Sequence, residues 1–352
     1  MVGIWAEGFE ANSNTNQFQR KYASFAGAWG TAVGRVFGNA GTPGFPQAMT
    51  TPSLGLGTTW ILGWAMRINS QQIPLNSGAR GIYFERGVFE QVHIEFVNNA
   101  SDFEVRLLRG GTTIATTTSN FAYNIWHHFE ISVTMHTSTG AYELRHNEVN
   151  VLSGSGVNTS DAGTTDGADV FAIRIGATLS QVSFDDINLK DSSGSSNNGF
   201  LGDSVVEAIE VTANGTTNDW INDDTAVSDG NNFGQVDDPG SSAPDETGAG
   251  GTVSSDTVSE RELYVLSDLV QITGTVAFVH AGIQASVDNS GTRELRFVMR
   301  DNGGSTANGD TFTVTSATFE GFNHIFNQNE ALSSAWNIAG IDGLQLGFEV
   351  VS

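Results

Sequence analysis

WHHFEISVTMHTSTGAYELRHN, residues 126–147, is the stretch that decides the fold. Phe129, Ile131, Val133 and Met135 alternate with Glu130, Ser132, Thr134 and His136. That period of two is what a strand with one apolar and one wet face requires. The turn residues TSTG follow, and AYELRHN alternates again, with Tyr142, Leu144 and His146 opposite Glu143 and Arg145. The stretch predicts a β-hairpin.

The same vocabulary extends in both directions. DFEVRLLRGGTTIATTT (102–118) predicts a second hairpin turning at Gly110-Gly111. TTWILGWAMRI (58–68), ARGIYFERG (79–87), FEQVHIEFV (89–97) and DVFAIRIG (169–176) are further strands, rich in aromatic and β-branched residues. In QVSFDDINLKD (181–191) the apolar face switches from Val182 and Phe184 to Ile187 and Leu189, which a β-bulge at Asp185-Asp186 would produce. DSSGSSNNG (191–199) then has the composition of a linker or exposed loop.

A second strand series runs from FLGDSVVEAIEV (200–211) through ELYVLSDL, TGTVAFVHAGIQASV, ELRFVMRD and DTFTVTSATFE to GLQLGFEVV (343–351). Residues 237–259 hold almost no apolar side chain and read as a long mobile loop. Short helical turns are expected at NQFQRKYASF (16–25) and NEALSSAW (329–336), and no repeat is visible. The expectation is an all-β chain of two tandem β-sandwiches. Residues 1–191 form the first, 192–204 a linker and 205–352 the second, with its loop at about 237–259.

Composition agrees with that reading. Gly is frequent at 42, Pro is rare at 6, and 22 Phe with 7 Trp supply core. The formal charge of −24 is uneven: residues 1–202 hold 11 basic against 16 acidic side chains, residues 203–352 only 4 against 23. Such a surface repels phosphate, so nucleic acid is excluded as a partner. With no Cys, neither disulfides nor thiolate metal sites contribute. The opening MVGIWAEGFE lacks a basic n-region and an apolar h-region, and no stretch approaches membrane-span length. The expectation is a chain made and assembled in the cytoplasm without membrane insertion.

Chemistry needs convergent titratable groups. His127 and His128 are neighbours on a strand, so they face opposite ways and cannot share an ion; with His136 and His146 they are expected at the surface. A retaining glycosidase needs two carboxyls about 5 Å apart, often from acids alternating on one strand face. No such string occurs, and Glu90 and Glu95, five apart, belong on opposite faces of a regular strand. YFERGVFEQ (83–91), QVH (91–93) and TRELR (292–296) look like strand motifs of alginate lyases. Their order is reversed, and the family's catalytic tyrosine would fall on Phe89, which has no hydroxyl, so they are read as ordinary strand vocabulary. No catalytic residue is assigned, and the chain is expected not to be an enzyme. Calcium, which takes six to eight oxygen ligands, has three candidate places: Asp161/Asp166/Asp169, Asp185/Asp186 and Asp219/Asp223/Asp224. Asp185 and Asp186, at the bulge, are the preferred metal ligands, and no other cofactor is expected. Trp60, Trp64, Trp126 and Phe129 fall on apolar strand phases, whereas Trp5, Trp29 and Trp220 are left open for sugar stacking.

The order of elements resembles the laminin-G-like, concanavalin-type sandwich (a jelly-roll architecture) of structural proteins in tailed bacteriophages. DDINLKDSSGSSNNGFLGD (185–203) is its most specific part, similar to the segment that closes the first sandwich in such proteins, and WNIAGIDGLQLGFEV (336–350) is similar to the end of their second domain. The resemblance implies a virion component, on tail, fibre or capsid, that forms homo-oligomers and contacts other virion proteins. A host surface glycan is a further partner it implies, because laminin-G-like sandwiches commonly bind carbohydrate.

Overall fold

Trp60, Leu62, Trp64, Met66 and Ile68 share one phase of β6 (Thr59–Ile68), and Phe129, Ile131 and Val133 share one phase of β12 (His127–Thr134). The two strands pair antiparallel in a register that sets all of these side chains on a single buried face. The computed structural model describes residues 3–8, 24–26, 29–36, 39–43, 47–69, 79–87, 89–99, 101–161, 166–175, 182–193, 197–222, 232–236, 251–270, 274–288 and 291–352. The chain divides into two units, 1–206 and 207–352.

The first unit is a sandwich of two eight-stranded antiparallel sheets. The first sheet runs β14 (Val149–Val157), β13 (Gly140–His146), β12, β6, β16 (Val182–Asp191), β4 (Asn39–Pro43), β3 (Trp29–Val33), with β1 (Gly3–Glu7) also on β16. The second runs β10 (Thr112–Thr116), β9 (Asp102–Arg109), β8 (Phe89–Asn99), β7 (Ala79–Arg86), β15 (Val170–Ile175), β5 (Gln47–Thr50), β2 (Ser24–Ala26), with β11 (Phe121–Ala122) on β9. Between them lies one core. Trp64 stacks on Phe129 at 5.4 Å, Phe96 meets Phe103 edge-on at 6.2 Å, and Phe84 leans on Phe171. Truncating one of these rings to Ala would cost about 3–5 kcal/mol through lost transfer and cavity energy.

Both hairpins form as the sequence predicts: β12 pairs with β13, and β9 with β10. Gly110 and Gly111 turn the latter with φ of 47° and 82°, a conformation that glycine adopts without strain. The bulge is present too. Pairing of β16 with β6 skips between Asp185 and Asn188, with Asp186 at φ 52°. It carries the strand from the phase of Phe184 to that of Ile187 and Leu189, so both halves bury apolar side chains.

The second unit is a smaller sandwich. A five-stranded sheet, β17 (Val211–Asn218), β20 (Arg261–Leu266), β25 (Gln345–Val350), β22 (Arg293–Arg300), β23 (Thr306–Val314), packs against the ribbon of β21 (Val279–Ala285) and β24 (Glu320–Phe326). Phe297, Phe312, Phe322, Phe326 and Phe348 fill the space, with Phe312 and Phe322 stacked at 4.2 Å. A two-stranded piece, β18 (Ile221–Asn222) with β19 (Val253–Ser254), sits beside Trp220.

Of the loop expected at 237–259, residues 237–250 lie outside the described residues and 253–254 are strand. The turn expected at 16–25 falls mostly outside them as well, and Ser24–Ala26 is strand. Residues 329–334 form a turn closed by Asn329 and Ser334, and the helix, α1 (Ile338–Ile341), comes just after it. The chain is all-β, two β-sandwiches in sequence. Among the described residues no helix is long and apolar enough to cross a membrane.

Candidate functional site

Two polar faces emerge, one on the outside of each sheet of the first unit. On the first sheet, the outward phase of β6 is small where it matters: Gly63 and Ala65 lie between Glu130 and His128 on β12 and Asn188 and Asp185 on β16. A side chain at Gly63 would collide with Asn188 Nδ2 at 2.5 Å, so the charged neighbours can close over it only because it is glycine. Residues 199–206 then cross this face as a strap. Leu201 and Gly202 N–H groups donate to Glu130 Oε1 at 2.7 and 3.1 Å, and Lys190 Nζ donates to the Gly199 carbonyl at 2.8 Å. Asn188 Nδ2 donates to Ser204 Oγ and the Val206 N–H to Asp186 Oδ1, each at 2.9 Å. The Arg145 guanidinium lies 4.0 Å over the Phe200 ring.

Arg35 ties the strap to the bulge. Its Nε donates to Asp186 Oδ2 at 2.7 Å, its backbone N–H to Asp185 Oδ2 at 2.7 Å, its Nη2 to the Ser204 carbonyl, and its Nη1 pairs with Asp203. The preferred metal ligands thus have an arginine as counter-ion. Burial, with Asp186 beside it, pushes the Asp185 carboxyl up to about 8; burial raises Asp186 also, against the pull of Arg35. Asp161 donates its N–H to Gln91, Asp166 lies 3.7 Å from His136, and Asp169 accepts from Gly87 N–H, so that trio does not converge. Asp219 accepts from Arg261 N–H, while Asp223 and Asp224 lie outside the described residues. Among the described residues no three His, Asp or Glu side chains gather as a ligand set.

The His136 side chain reaches solvent as the sequence predicts, but His127 and His128 are not at the surface. They do face opposite ways, yet both are buried. His127 enters the aromatic core and shares a 2.9 Å hydrogen bond with His146; His128 sits under the strap, its Nδ1 3.9 Å from Asp203. Burial lowers the pKa of each, with His128 and His146 at about 4. Strand alternation marked the outer phase of β12 as wet, and it is the strap, a segment some 70 residues away in sequence from Glu130, that dries it.

The second sheet's outer face gathers a set that the sequence reading missed. Tyr83 of β7 stands opposite His93 of β8, their rings stacked at 5.0 Å, and the Arg174 guanidinium of β15 lies 5.0 Å over Tyr83. Arg174 forks onto Glu85 at 2.5 and 2.6 Å and reaches Glu90 at 3.6 Å; His93 Nδ1 is 3.8 Å from Glu90. Glu90 was expected on the face opposite Glu95. A bulge at Gln91 breaks the alternation, since Phe84 pairs with Val92 while Glu85 pairs with Glu90. That bulge turns Glu90 to the face of His93. Burial raises the Glu85 carboxyl, with Arg174 opposing. Two carboxyls of unequal burial on one guanidinium, beside a phenol and an imidazole, form an acid–base constellation. Tyr83, Gln91, His93 and Glu85 are buried, whereas Arg174 and Glu90 form its solvent edge. The signal was the string YFE…FEQVH itself. Phe89, which with the reversed motif order set the resemblance to alginate lyases aside, is exposed at the start of β8 and outside the cluster.

Of the tryptophans left open, Trp5 and Trp220 are core residues, and the side chain of Trp29 lies outside the described ones. Trp126 is half-buried with Arg67 5.1 Å over its ring.

No family model matches the sequence, and no curated protein does. Among solved structures, the chain is similar to a carbohydrate esterase from the Shiga toxin-encoding bacteriophage phi24B (12% identity, 54% of this chain, 99% of that one, TM-score 0.41). It is also similar to an endo-β-1,4-glucuronan lyase from the fungus Trichoderma reesei (13%, 54% and 95%, TM-score 0.39). A third is domain 4 of an extracellular arabinanase from Geobacillus stearothermophilus, solved with arabinotriose (13%, 54% and 92%, TM-score 0.37). What is shared is a β-sandwich. The expectation that the chain is not an enzyme is corrected by this finding: the sandwiches it is similar to include a lyase, an esterase and a domain of an arabinanase. The physical reason is on the second sheet, where a bulge and three strands assemble titratable groups that no linear motif spells out.

Proposed function

We propose that the chain is a surface component of a tailed-phage particle, held there as a homo-oligomer by contacts with other virion proteins. The observation that supports it is the strap. The string that carries the phage resemblance, 185–203, is the string whose Asp185, Asp186, Asn188 and Lys190 bind Arg35 and residues 199–206. In this reading its polar residues build a sandwich locked by its own chain, suited to a particle that persists without repair. The outward acidity of residues 203–352 keeps such a surface from packaged DNA. Cryo-electron microscopy of purified particles tests it. Density fitting both sandwiches in symmetric copies on head or tail is the expected result; particles lacking the chain would overturn it.

A second reading, action on or binding of a carbohydrate, is favoured by the Tyr83–His93–Arg174–Glu85–Glu90 cluster. It is compatible with the first if the particle meets a host glycan. Incubation with uronate-containing and neutral polysaccharides, read by new reducing ends and by absorbance of unsaturated products, tests it; Arg174→Ala should abolish whatever turnover appears.

A further inference from the structure

Two turns of the second unit wall a depression of about 300 Å³, lined by Asp301, Asn302, Asn329, Leu332, Asn337 and Gly340 with small residues between them. Both turns are fixed by their own hydrogen bonds. Asp301 Oδ1 accepts from Ser305 N–H at 2.7 Å, and the Gly304 N–H donates to the Asp301 carbonyl. Asn329 and Ser334 exchange backbone bonds at 2.9 and 3.2 Å, with Ser333 held at φ 52° between them. Asn337 Oδ1 accepts from Gly340 N–H at 2.8 Å, and Asn302 lies against Gly343. The walls are therefore in place before any ligand arrives.

The surface of the lining is mostly apolar, and the polar groups set into it are amide and carboxyl. Asp301 and Asn329 are each 3% exposed. Asp301 Oδ2 and Asn329 Nδ2 make no hydrogen bond among the described residues. A Cβ on Gly340 would sit 3.4 Å from Asn337 Oδ1 and 3.7 Å from Asn329 Nδ2, so the bare glycine leaves room between two amides. Opposite lies an apolar wall, Leu332 at 56% exposure with Ala335 and Ala339. Paired donors and acceptors beside an apolar wall match a pyranose, whose vicinal hydroxyls take bidentate hydrogen bonds and whose C–H face packs on aliphatic carbon.

Charge narrows the class. The four arginines of residues 203–352 are Arg261, Arg293, Arg296 and Arg300, none of which lines the depression, while Asp301 does. A uronate or sialate would meet repulsion with no guanidinium to receive it. We propose that this depression binds one neutral sugar ring, as at the end of a glycan chain. The site goes beyond the particle reading and stands without it.

The experiment is ¹H–¹⁵N NMR of the full chain, titrated with methyl glucoside, galactoside, mannoside and N-acetylglucosaminide, and with methyl glucuronide as the anionic control. The expected result is saturable shifts of the Asn302, Asn329 and Asn337 side-chain amides by at least one neutral glycoside, with Kd in the millimolar range typical of a shallow single-ring site (~1–10 mM). Glucuronide should bind at least about tenfold more weakly. Ala339→Trp fills the depression from an exposed position and should abolish the shifts, while Asn302→Ala should weaken binding roughly five- to tenfold. Urea unfolding of both variants at wild-type midpoints shows that the fold is kept. No saturable shift with any neutral glycoside, shifts that survive Ala339→Trp in a folded protein, or equal binding of glucuronide would each overturn the proposal.

Discussion

Two sets of buried ionisable groups, one in each unit, are held differently, although Glu349 of the second unit is paired, with Arg261 and Arg296, as the first unit's acids are with Arg35. The first keeps Asp185, Asp186, Glu130, Lys190 and Arg35 outside its hydrophobic core, on the back of a sheet, each bonded to a different segment. The second puts Glu262 and Tyr264 on the phase of β20 that pairs with Phe348 and Leu346, toward its core. There Glu262 Oε2 accepts from Trp220 N–H at 3.1 Å, and burial pushes its carboxyl up to about 7. The Tyr264 hydroxyl is buried without a hydrogen bond among the described residues, and its pKa is raised by that burial. Paired buried charge fixes which segment sits where; a buried carboxyl short of partners costs stability whenever it ionises.

The largest effect that would break this contrast is Arg35→Ala. It leaves Asp185 and Asp186 buried beside one another, and should cost the first unit about 3–5 kcal/mol at pH 8. The loss should shrink toward pH 5, where Asp185, with its pKa pushed up to about 8, is protonated. Urea titration read by hydrogen exchange, peptide by peptide, should show the second unit unmoved.

Glu262→Gln should come next, with the opposite sign. The folded carboxyl titrates near 7 against 4.5 unfolded, so its contribution is fully present below 4.5 and is lost as pH rises through 7. Glutamine keeps the acceptor without the charge. The variant should gain roughly 2–3 kcal/mol in the second unit at pH 8 and nothing at pH 4.5, measured by urea midpoints at both.

His128 sharpens the first unit's side. Its pKa is about 4 folded against 6.5 unfolded, so the unfolded chain takes the proton first and stability falls as pH drops from 6.5 to 4. Beyond burial, Arg35 and Lys190 oppose its protonation while Asp203 favours it. His128→Asn should flatten that limb by roughly 1–2 kcal/mol, visible in thermal melts across the window.

Strand periodicity carried most of the fold. The 126–147 hairpin, the Gly110-Gly111 turn and the 185–186 bulge were legible because each is a local pattern with a local cause. The sites were less so. Glu130, His128 and Lys190 look like solvent-facing residues until the strap arrives from residues 199–206, which the sequence presents only as the end of a linker and the start of the second strand series. Glu90 changes face at a bulge with no glycine to announce it, and Arg174 comes from a strand 84 residues later to meet it. The depression of the second unit is shaped by two turns whose residues, Asn, Asp, Gly and Ser, read as turn formers and nothing more.

Residues 199–206 are a locked part of the first sandwich and not a free connector. Hydrogen exchange of the amides of Leu201, Gly202 and Val206, in the native protein at neutral pH, tests it most directly. Protection close to that of Leu189 in β16 is the expected result, with its loss at residues 201 and 202 in Glu130→Ala. Exchange at unprotected rates in the wild type would contradict it.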